Sequence, residues 1–293
     1  MKKVTKAVIP AAGFGTRFLP ITKSVCKEML PIVDKPTLQY IIEEAVQSGI
    51  TDILIVTGRN KKILEDFFDY TPELDALLEQ DNKIKLLKIS KEIEKMVNLY
   101  FVRQKHPCGF ANALQYAKAF TGDEPFAILL GDDIIYTDSN TKPVTQQLIE
   151  NYYKYQKPTL ALMEVDDKDI NKYANIKARK TDGKSCDIAL IVEKPKAENK
   201  FSNYAVIGRY IVESDIYNLI DNLKPSETGE TFFTEALQAL AKENRLTGYQ
   251  FAGKRYDAGD KLEYLIANVE YALRDFNLQK EFTNYLKNLV TKL

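Results

Sequence analysis

Ala11-Ala12-Gly13-Phe14-Gly15-Thr16-Arg17 follows directly on the apolar run Ala7-Val8-Ile9-Pro10, and Lys27 stands ten residues beyond the arginine, in Lys27-Glu28-Met29-Leu30-Pro31. A short buried strand that empties into a glycine-rich turn, with two cations beyond it, suits a polyphosphate. Backbone without side chains lets phosphate oxygens come close, and its N–H groups point inward to meet them. Two familiar phosphate loops do not fit. A dinucleotide fingerprint needs a small residue where Phe18 stands, and a P-loop needs Gly-Lys-Ser/Thr where Thr16-Arg17-Phe18 follows. The glycines alone would equally suit a plain tight turn. Thr16, Arg17 and Lys27 together point to nucleotide handling.

Working outward, the whole chain of 293 residues has room for one large domain with a real core. Its 41 basic residues balance 41 acidic ones, so no bulk charge favours nucleic acid or an anionic membrane surface. Cations for an anionic ligand must be placed locally. Cys26, Cys108 and Cys186 lie far apart and there is one histidine, which argues against a zinc site or a disulfide framework and for a reducing cytoplasm. The apolar run behind the basic start stops at Pro10, too short for a signal segment, and nothing later reaches membrane-spanning length.

Short β-branched runs alternate with helical patterns, which predicts an α/β fold with a mostly parallel sheet. Strands are expected at residues 7–10, 53–56, 99–102 and 126–130, with helices at 37–48, 61–68 and 111–120. Residues 73–97 read as a charged helical excursion at the domain edge. From residue 159 the strands shorten and turn signals such as Thr181-Asp182-Gly183-Lys184 multiply, predicting antiparallel strands that extend the sheet around a substrate. Residues 261–293 read as helix, with Leu262, Leu265, Ile266, Val269, Leu273 and Phe276 as a core or dimer stripe.

Ligands of open α/β sheets gather beyond the carboxyl ends of the strands. The glycine loop, Arg103-Gln104 and Asp132-Asp133 all fall at such ends. A cationic loop facing carboxylates is what a magnesium–nucleotide complex needs, because Mg²⁺ takes a few carboxylates and fills its octahedron with water and phosphate oxygens. Gly-Asp-Asp is also ordinary turn composition. Glu193-Lys194-Pro195 ends another apolar run; neighbours on a strand point to opposite faces, so the two charges are not expected to pair. A solvated strand end explains them as well. In Tyr256-Asp257-Ala258-Gly259-Asp260, Asp260 suits the N-cap of the last helix and leaves Asp257 for a ligand.

With these residues assembled, the chain resembles the sugar-nucleotidyltransferase family, in its bacterial UTP–glucose-1-phosphate uridylyltransferase (UDP-glucose pyrophosphorylase) branch. The likeness runs from Lys6 to about Tyr271, through Ala-Gly-Phe-Gly-Thr-Arg-Phe-Leu-Pro at 12–20, Lys-Glu-Met-Leu-Pro-Ile-Val-Asp-Lys-Pro at 27–36 and Val-Thr-Gly-Arg-Asn at 56–60. Val-Arg-Gln at 102–104, Val-Glu-Lys-Pro at 192–195, Ile-Gly-Arg-Tyr at 207–210 and Asp-Ala-Gly-Asp-Lys-Leu at 257–262 continue it. The resemblance implies a Rossmann-like three-layer sandwich with a mixed, mainly parallel central sheet and an added antiparallel sugar-binding portion. It implies one domain over 1–293: a nucleotide portion 1–158, a sugar-phosphate portion 159–259 and C-terminal helices 260–293.

The implied reaction is attack of a glucose 1-phosphate oxygen on the α-phosphorus of UTP, with Mg²⁺, releasing pyrophosphate. Carried over by motif, Ala12, Gly13, Gly15 and Thr16 hold the nucleotide, and Arg17 and Lys27 balance triphosphate charge. Glu28 and Gln104 would meet uridine, with Gly109 near the base. Asp132 and Asp257 would be the metal acids, Glu193 would bind glucose hydroxyls, Lys194 the sugar phosphate, and Gly208 would lie against the sugar. The family also implies a cytoplasmic homo-oligomer. Alternatives are a relative using dTTP or another hexose 1-phosphate, and a non-catalytic sugar-nucleotide sensor. Three departures stand out. Cys26 replaces proline before Lys27, which predicts a looser loop. Cys108-Gly109-Phe110-Ala111-Asn112-Ala113 replaces Lys-Gly-Leu-Gly-His-Ala, and Gly229-Glu230-Thr231-Phe232-Phe233-Thr234 is a loose form of Gly-Glu-Ile-Gln-Leu-Thr.

Overall fold

The computed structural model describes residues 2–224 and 231–292. Gly229 and Glu230, named above, lie outside the described residues. Nine strands form one sheet in the order Asn98–Arg103, Asp52–Thr57, Lys6–Ala11, Phe126–Leu129, Tyr204–Val212, Thr159–Glu164, Thr247–Gln250, Ser185–Val192, Ala174–Asp182. The first four run parallel, as the alternating strand and helix patterns require. From Tyr204–Val212 onward the pairings turn antiparallel, apart from the parallel pair Thr159–Glu164 with Thr247–Gln250. The hairpin turn falls at the expected Thr181–Lys184 segment, with Gly183 at φ +60°.

The sheet is buried on both faces because its strands alternate between two apolar layers. On one face Ala7, Ile9, Ile53, Ile55, Ala127 and Leu129 pack against Leu38, Ile41, Ile42 and Ala45 of the helix Thr37–Gln47 and against Leu148 and Tyr152. On the other, Val8, Leu54, Val56 and Ile128 meet Ala111, Leu114 and Ala117, while Leu237 and Leu240 cover the antiparallel half. The three-layer sandwich follows directly. Gly49, at φ +90°, ends the helix Thr37–Gln47 as expected.

Two expected helices are interrupted. Residues 111–120 divide into Phe110–Gln115 and Lys118–Thr121, because Tyr116 and Ala117 donate to carbonyls three residues back and tighten the ladder. The C-terminal helix divides into Lys261–Arg274 and Gln279–Val290, because Asp275 Oδ1 accepts the N–H groups of Asn277 and Leu278 and caps a turn. The excursion at 73–97 is a helix pair, Pro72–Gln80 and Ile84–Glu94.

A small ribbon positions the site. Asp133–Tyr136 pairs antiparallel with Lys254–Asp257, in a register that sets Asp257 opposite Asp133. Ala258 N–H donates to the Asp132 carbonyl at 2.8 Å and locks the end of the ribbon.

Candidate active site

The glycine loop leaves the Lys6–Ala11 strand at its carboxyl end and closes as a single tight turn, Thr16–Phe18. Gly15 is required there: its φ is +64°, and a Cβ would come within 3.1 Å of Thr22 Cγ2. Gly13 is different. A Cβ on it would meet nothing within 4 Å, so its bareness leaves space that this chain does not fill. Ala12 is half-buried at the loop's start, and Thr16 and Arg17 are exposed.

Arg17, Gly109, Asp132, Glu193, Lys194, Gly208 and Asp257 line one cleft of about 380 Å³, together with Asp133, Tyr173, Thr234 and Arg255. Lys27 reaches it by way of Asp132, its Nζ lying 2.5 Å from Asp132 Oδ2. Arg17 Nη1 approaches Asp257 Oδ2 at 3.9 Å. The position a Cβ would take on Gly259 gauges the convergence. It lies 2.6 Å from Asp132 Oδ2, 2.9 Å from Asp257 Oδ1 and 3.0 Å from Arg17 Nη2.

Burial works against ionisation of Asp132, but Lys27, its hydrogen bond, Arg17 and Arg255 outweigh burial and hold the carboxyl below its ordinary range. Asp257 goes the other way. Burial raises it, Arg255 draws it back, and the charges of Asp133 and Asp132 raise it further. Two carboxylates that repel each other across one small space, with oxygen donors only, fit a hard divalent cation. Among the described residues no third His, Cys, Asp or Glu joins them, so phosphate oxygens and water would complete the shell.

Glu193 and Lys194 depart from the strand-face expectation. The strand Ser185–Val192 ends before them, and Lys194 has φ +41°, so alternation stops and both side chains line the same cleft, 3.9 Å apart. Lys194 N–H donates to the Tyr173 carbonyl at 3.1 Å, which secures this sparsely populated backbone. Gly208 is held from behind: its N–H donates to Asp133 Oδ2 at 2.9 Å, and a Cβ would lie 2.7 Å from Leu130 Cβ.

The nucleotidyl transferase family profile matches residues 6–273. The UTP–glucose-1-phosphate uridylyltransferase of Bacillus subtilis (strain 168) is 42% identical over 292 residues, covering 100% of this chain and 99% of the relative. The chain belongs to the nucleotidyl transferase family. In three dimensions this nucleotidyl transferase is similar to a UDP-glucose pyrophosphorylase crystallised with UDP-glucose, at TM-score 0.85 and 41% identity over 93% of this chain and 100% of the other. It is also similar to a UTP-bound pyrophosphorylase of Acinetobacter baumannii, at TM-score 0.90 and 34% identity over 98% and 99% of the two chains.

Several expected residues of this nucleotidyl transferase are placed otherwise. Glu28, expected to meet uridine, is fully buried, and both its oxygens accept from Lys61 Nζ at 2.9 Å. Burial under the loop leaves it no surface to offer a base. Lys61 also donates to the Ala11 carbonyl, so this pair ties the loop to the end of the first strand. Cys26, expected to loosen the Lys27 loop, is a buried core residue; burial and the nearby Glu28 charge push its thiol up to about 11. Of Asp132-Asp133, only the first remains for a ligand. Asp133 is taken up by Gly208 N–H and by Arg255, whose Nε lies 2.9 Å from Oδ1. Gln104 is buried and Arg103 is exposed outside the cleft lining.

Sequence reasoning missed Lys61, Arg255 and Tyr173. Arg255 carried a usable signal, since it stands two residues before Asp257 and so shares its strand face. Its Nη1 donates to Tyr173 Oη at 2.9 Å, and its Nη2 lies 3.7 Å from Asp257 Oδ2. Lys61, in contrast, meets Glu28 only through the fold.

Proposed function

We propose that this chain transfers a uridylyl group from UTP to glucose 1-phosphate, giving UDP-glucose and pyrophosphate. The convergence of Arg17, Asp132 and Asp257 beside Gly259, in the cleft that Glu193 and Lys194 also line, carries this reading. In this reading the cleft offers charges for a triphosphate and a metal, together with an acid and a base for a sugar phosphate. Relatives similar over nearly the whole chain are named for this reaction or crystallised with UTP or UDP-glucose.

In this reading Gly13 admits the triphosphate, while Arg17 and Lys27 oppose its charge. Gln104 and Gly109 border the base. Lys194 holds the sugar phosphate so that one of its oxygens faces the α-phosphorus, and Glu193 accepts from glucose hydroxyls beside Gly208. That oxygen forms the new P–O bond as the bond to pyrophosphate breaks in line, with no side-chain nucleophile and no net proton transfer. Positioning and charge neutralisation supply most of the acceleration. Asp132 and Asp257 would hold Mg²⁺, which would draw charge off the phosphate oxygens. The nucleotide portion is 1–158 and the sugar-phosphate portion 159–259 of one domain.

We assign the chain to the cytoplasm as a homo-oligomer. Free cysteines and the exposed apolar residues Leu74, Leu77, Ile84, Ile89 and Phe276 support that assignment. No helix among the described residues is long and apolar enough to cross a membrane.

Pyrophosphate release, measured with four nucleoside triphosphates against several sugar 1-phosphates, tests the function. The expected result is release from UTP plus glucose 1-phosphate only with Mg²⁺. Binding without turnover favours a sensor, and preference for another pair names a sister enzyme.

A further inference from the structure

The Gln104 amide is the first member of a directed chain. Its Nε2 donates to Asn112 Oδ1 at 2.8 Å. Asn112 Nδ2 donates to Gln115 Oε1 at 3.2 Å, and Gln115 Nε2 donates to Asp221 Oδ1 at 3.0 Å. Three amides therefore run in series from a buried position to a surface carboxylate. Asn112 and Gln115 stand three apart on the helix Phe110–Gln115, which puts them side by side, and Asp221 ends the helix Ile216–Asp221.

An amide between partners that can both donate and accept has no preferred direction, but an ionised carboxylate can only accept. The other Asp221 oxygen lies 3.1 Å from Lys118 Nζ. Asp221 thus orients Gln115, Gln115 orients Asn112, and Asn112 orients Gln104. At the far end Gln104 spends its Nε2 on Asn112 at 2.8 Å and, at the longer distance of 3.5 Å, on the Gly109 carbonyl, and no described residue donates to its Oε1. The free group is an acceptor.

We infer that Asp221, Gln115 and Asn112 form a polarity relay that presents Gln104 Oε1 to the base, selecting a pyrimidine with a ring N3–H and turning away cytosine. This rests on the reading that Gln104 borders the base. Uracil and thymine carry a proton at N3, where cytosine carries a lone pair that would face the Oε1 lone pairs. The relay does not separate uracil from thymine, which differ at C5. It also gives Asn112, standing where the resembled family has histidine, a positioning role: an amide held at both ends transmits direction from Asp221.

The test is the ratio of kcat/KM for UTP to that for CTP, at saturating glucose 1-phosphate on the full chain. Asp221→Asn and Gln115→Leu release the amides, and each is expected to lower the ratio about tenfold while leaving kcat for UTP nearly unchanged. Asn112→Asp puts a carboxylate directly on Gln104 Nε2. It is expected to keep the ratio and to restore it when combined with Asp221→Asn. A merely structural role would lower both nucleotides together, and Asn112→Asp would rescue nothing. Gln104→Ala separates the two ideas. If its ratio stays at the wild-type value, Gln104 does not read the base and the inference falls with that placement. If its ratio collapses while Asp221→Asn and Gln115→Leu keep theirs, the relay alone is overturned.

Discussion

Lys27 Nζ lies 2.5 Å from Asp132 Oδ2, although 105 positions separate the two in the chain. The cation expected to oppose a triphosphate and the carboxylate expected to hold a metal therefore pair with each other. Lys27→Ala should lower turnover about 10²–10³-fold, the scale of losing one preorganised charge at a reacting phosphate. Burial then acts on Asp132 without its main counterweight, so the acid limb of kcat/KM should also move to higher pH. Pyrophosphate release across pH reads both effects. A fall in turnover with an unmoved acid limb would mean that Lys27 does not set the state of Asp132.

In the proposed site Asp257 would carry the acid sensitivity of metal binding. Its carboxyl takes up a proton at higher pH than an ordinary aspartate, because burial and the charges of Asp133 and Asp132 outweigh Arg255 and Arg17. Only the ionised form would bind the proposed cation, so the Mg²⁺ concentration needed for half activity should rise as pH falls, beginning above the ordinary aspartate range. Asp257→Asn should need more Mg²⁺ at neutral pH and lose that dependence. Asp132→Asn should likewise weaken the response to Mg²⁺, and an unaltered requirement in either variant would reassign the ligand.

The Lys61–Glu28 pair beneath the glycine loop sets a stability prediction. Lys61→Met leaves Glu28 buried without a partner, at a cost of about 3–5 kcal/mol. The double variant Lys61→Met, Glu28→Gln should recover part of that loss, because the uncompensated charge is gone. Urea denaturation of the parent and the two variants tests this, and equal losses in single and double variants would contradict it.

Cys26→Pro should be tolerated. Its φ is −70°, within the range proline imposes, and its N–H makes no backbone hydrogen bond among the described residues. Stability should stay within about 1 kcal/mol of the parent and turnover within a few-fold, far from the effect of Lys27→Ala. Comparable losses in the two variants would show that the shape of the loop, rather than its cation, carries the activity.

Glu270 anchors the C-terminal helices to the ribbon, accepting from Lys254, from Tyr256 Oη at 2.6 Å and from Arg274 at 2.8 Å. Burial opposes its charge, yet these donors hold its pKa at about 2, below the ordinary 4.5. A depressed folded value stabilises fully above the unfolded value, and that contribution disappears as pH falls through about 2. Glu270→Gln should lower Tm at neutral pH, and its difference from the parent should shrink between pH 4.5 and 2. A difference that stays constant over that window would rule this out.

The four parallel strands were legible because each is an apolar run that must be buried on both faces, and Thr37–Gln47 because its apolar residues recur at helical spacing. Asp260 was legible as a cap, since its carboxylate accepts from Leu262 and Glu263 N–H within the same turn. Local chemistry can be read from neighbours in the chain. Glu28 could not be read that way. Its partner Lys61 lies 33 positions away, and a glutamate beside a phosphate-binding lysine looks the same in sequence whether it faces a base or the core.

Gly13, Gly15, Arg17 and Lys27 led to the expectation of a phosphate loop from spacing and charge alone, because a tight turn and its cations are properties of one short segment. Which of Asp132 and Asp133 is taken up by Arg255 was decided by the pairing of Asp133–Tyr136 with Lys254–Asp257. That register hands Asp133 to Arg255, 122 positions away, and leaves Asp132 and Asp257 facing one another. Strand register depends on burial and on hydrogen bonds between distant segments, so no local pattern carries it.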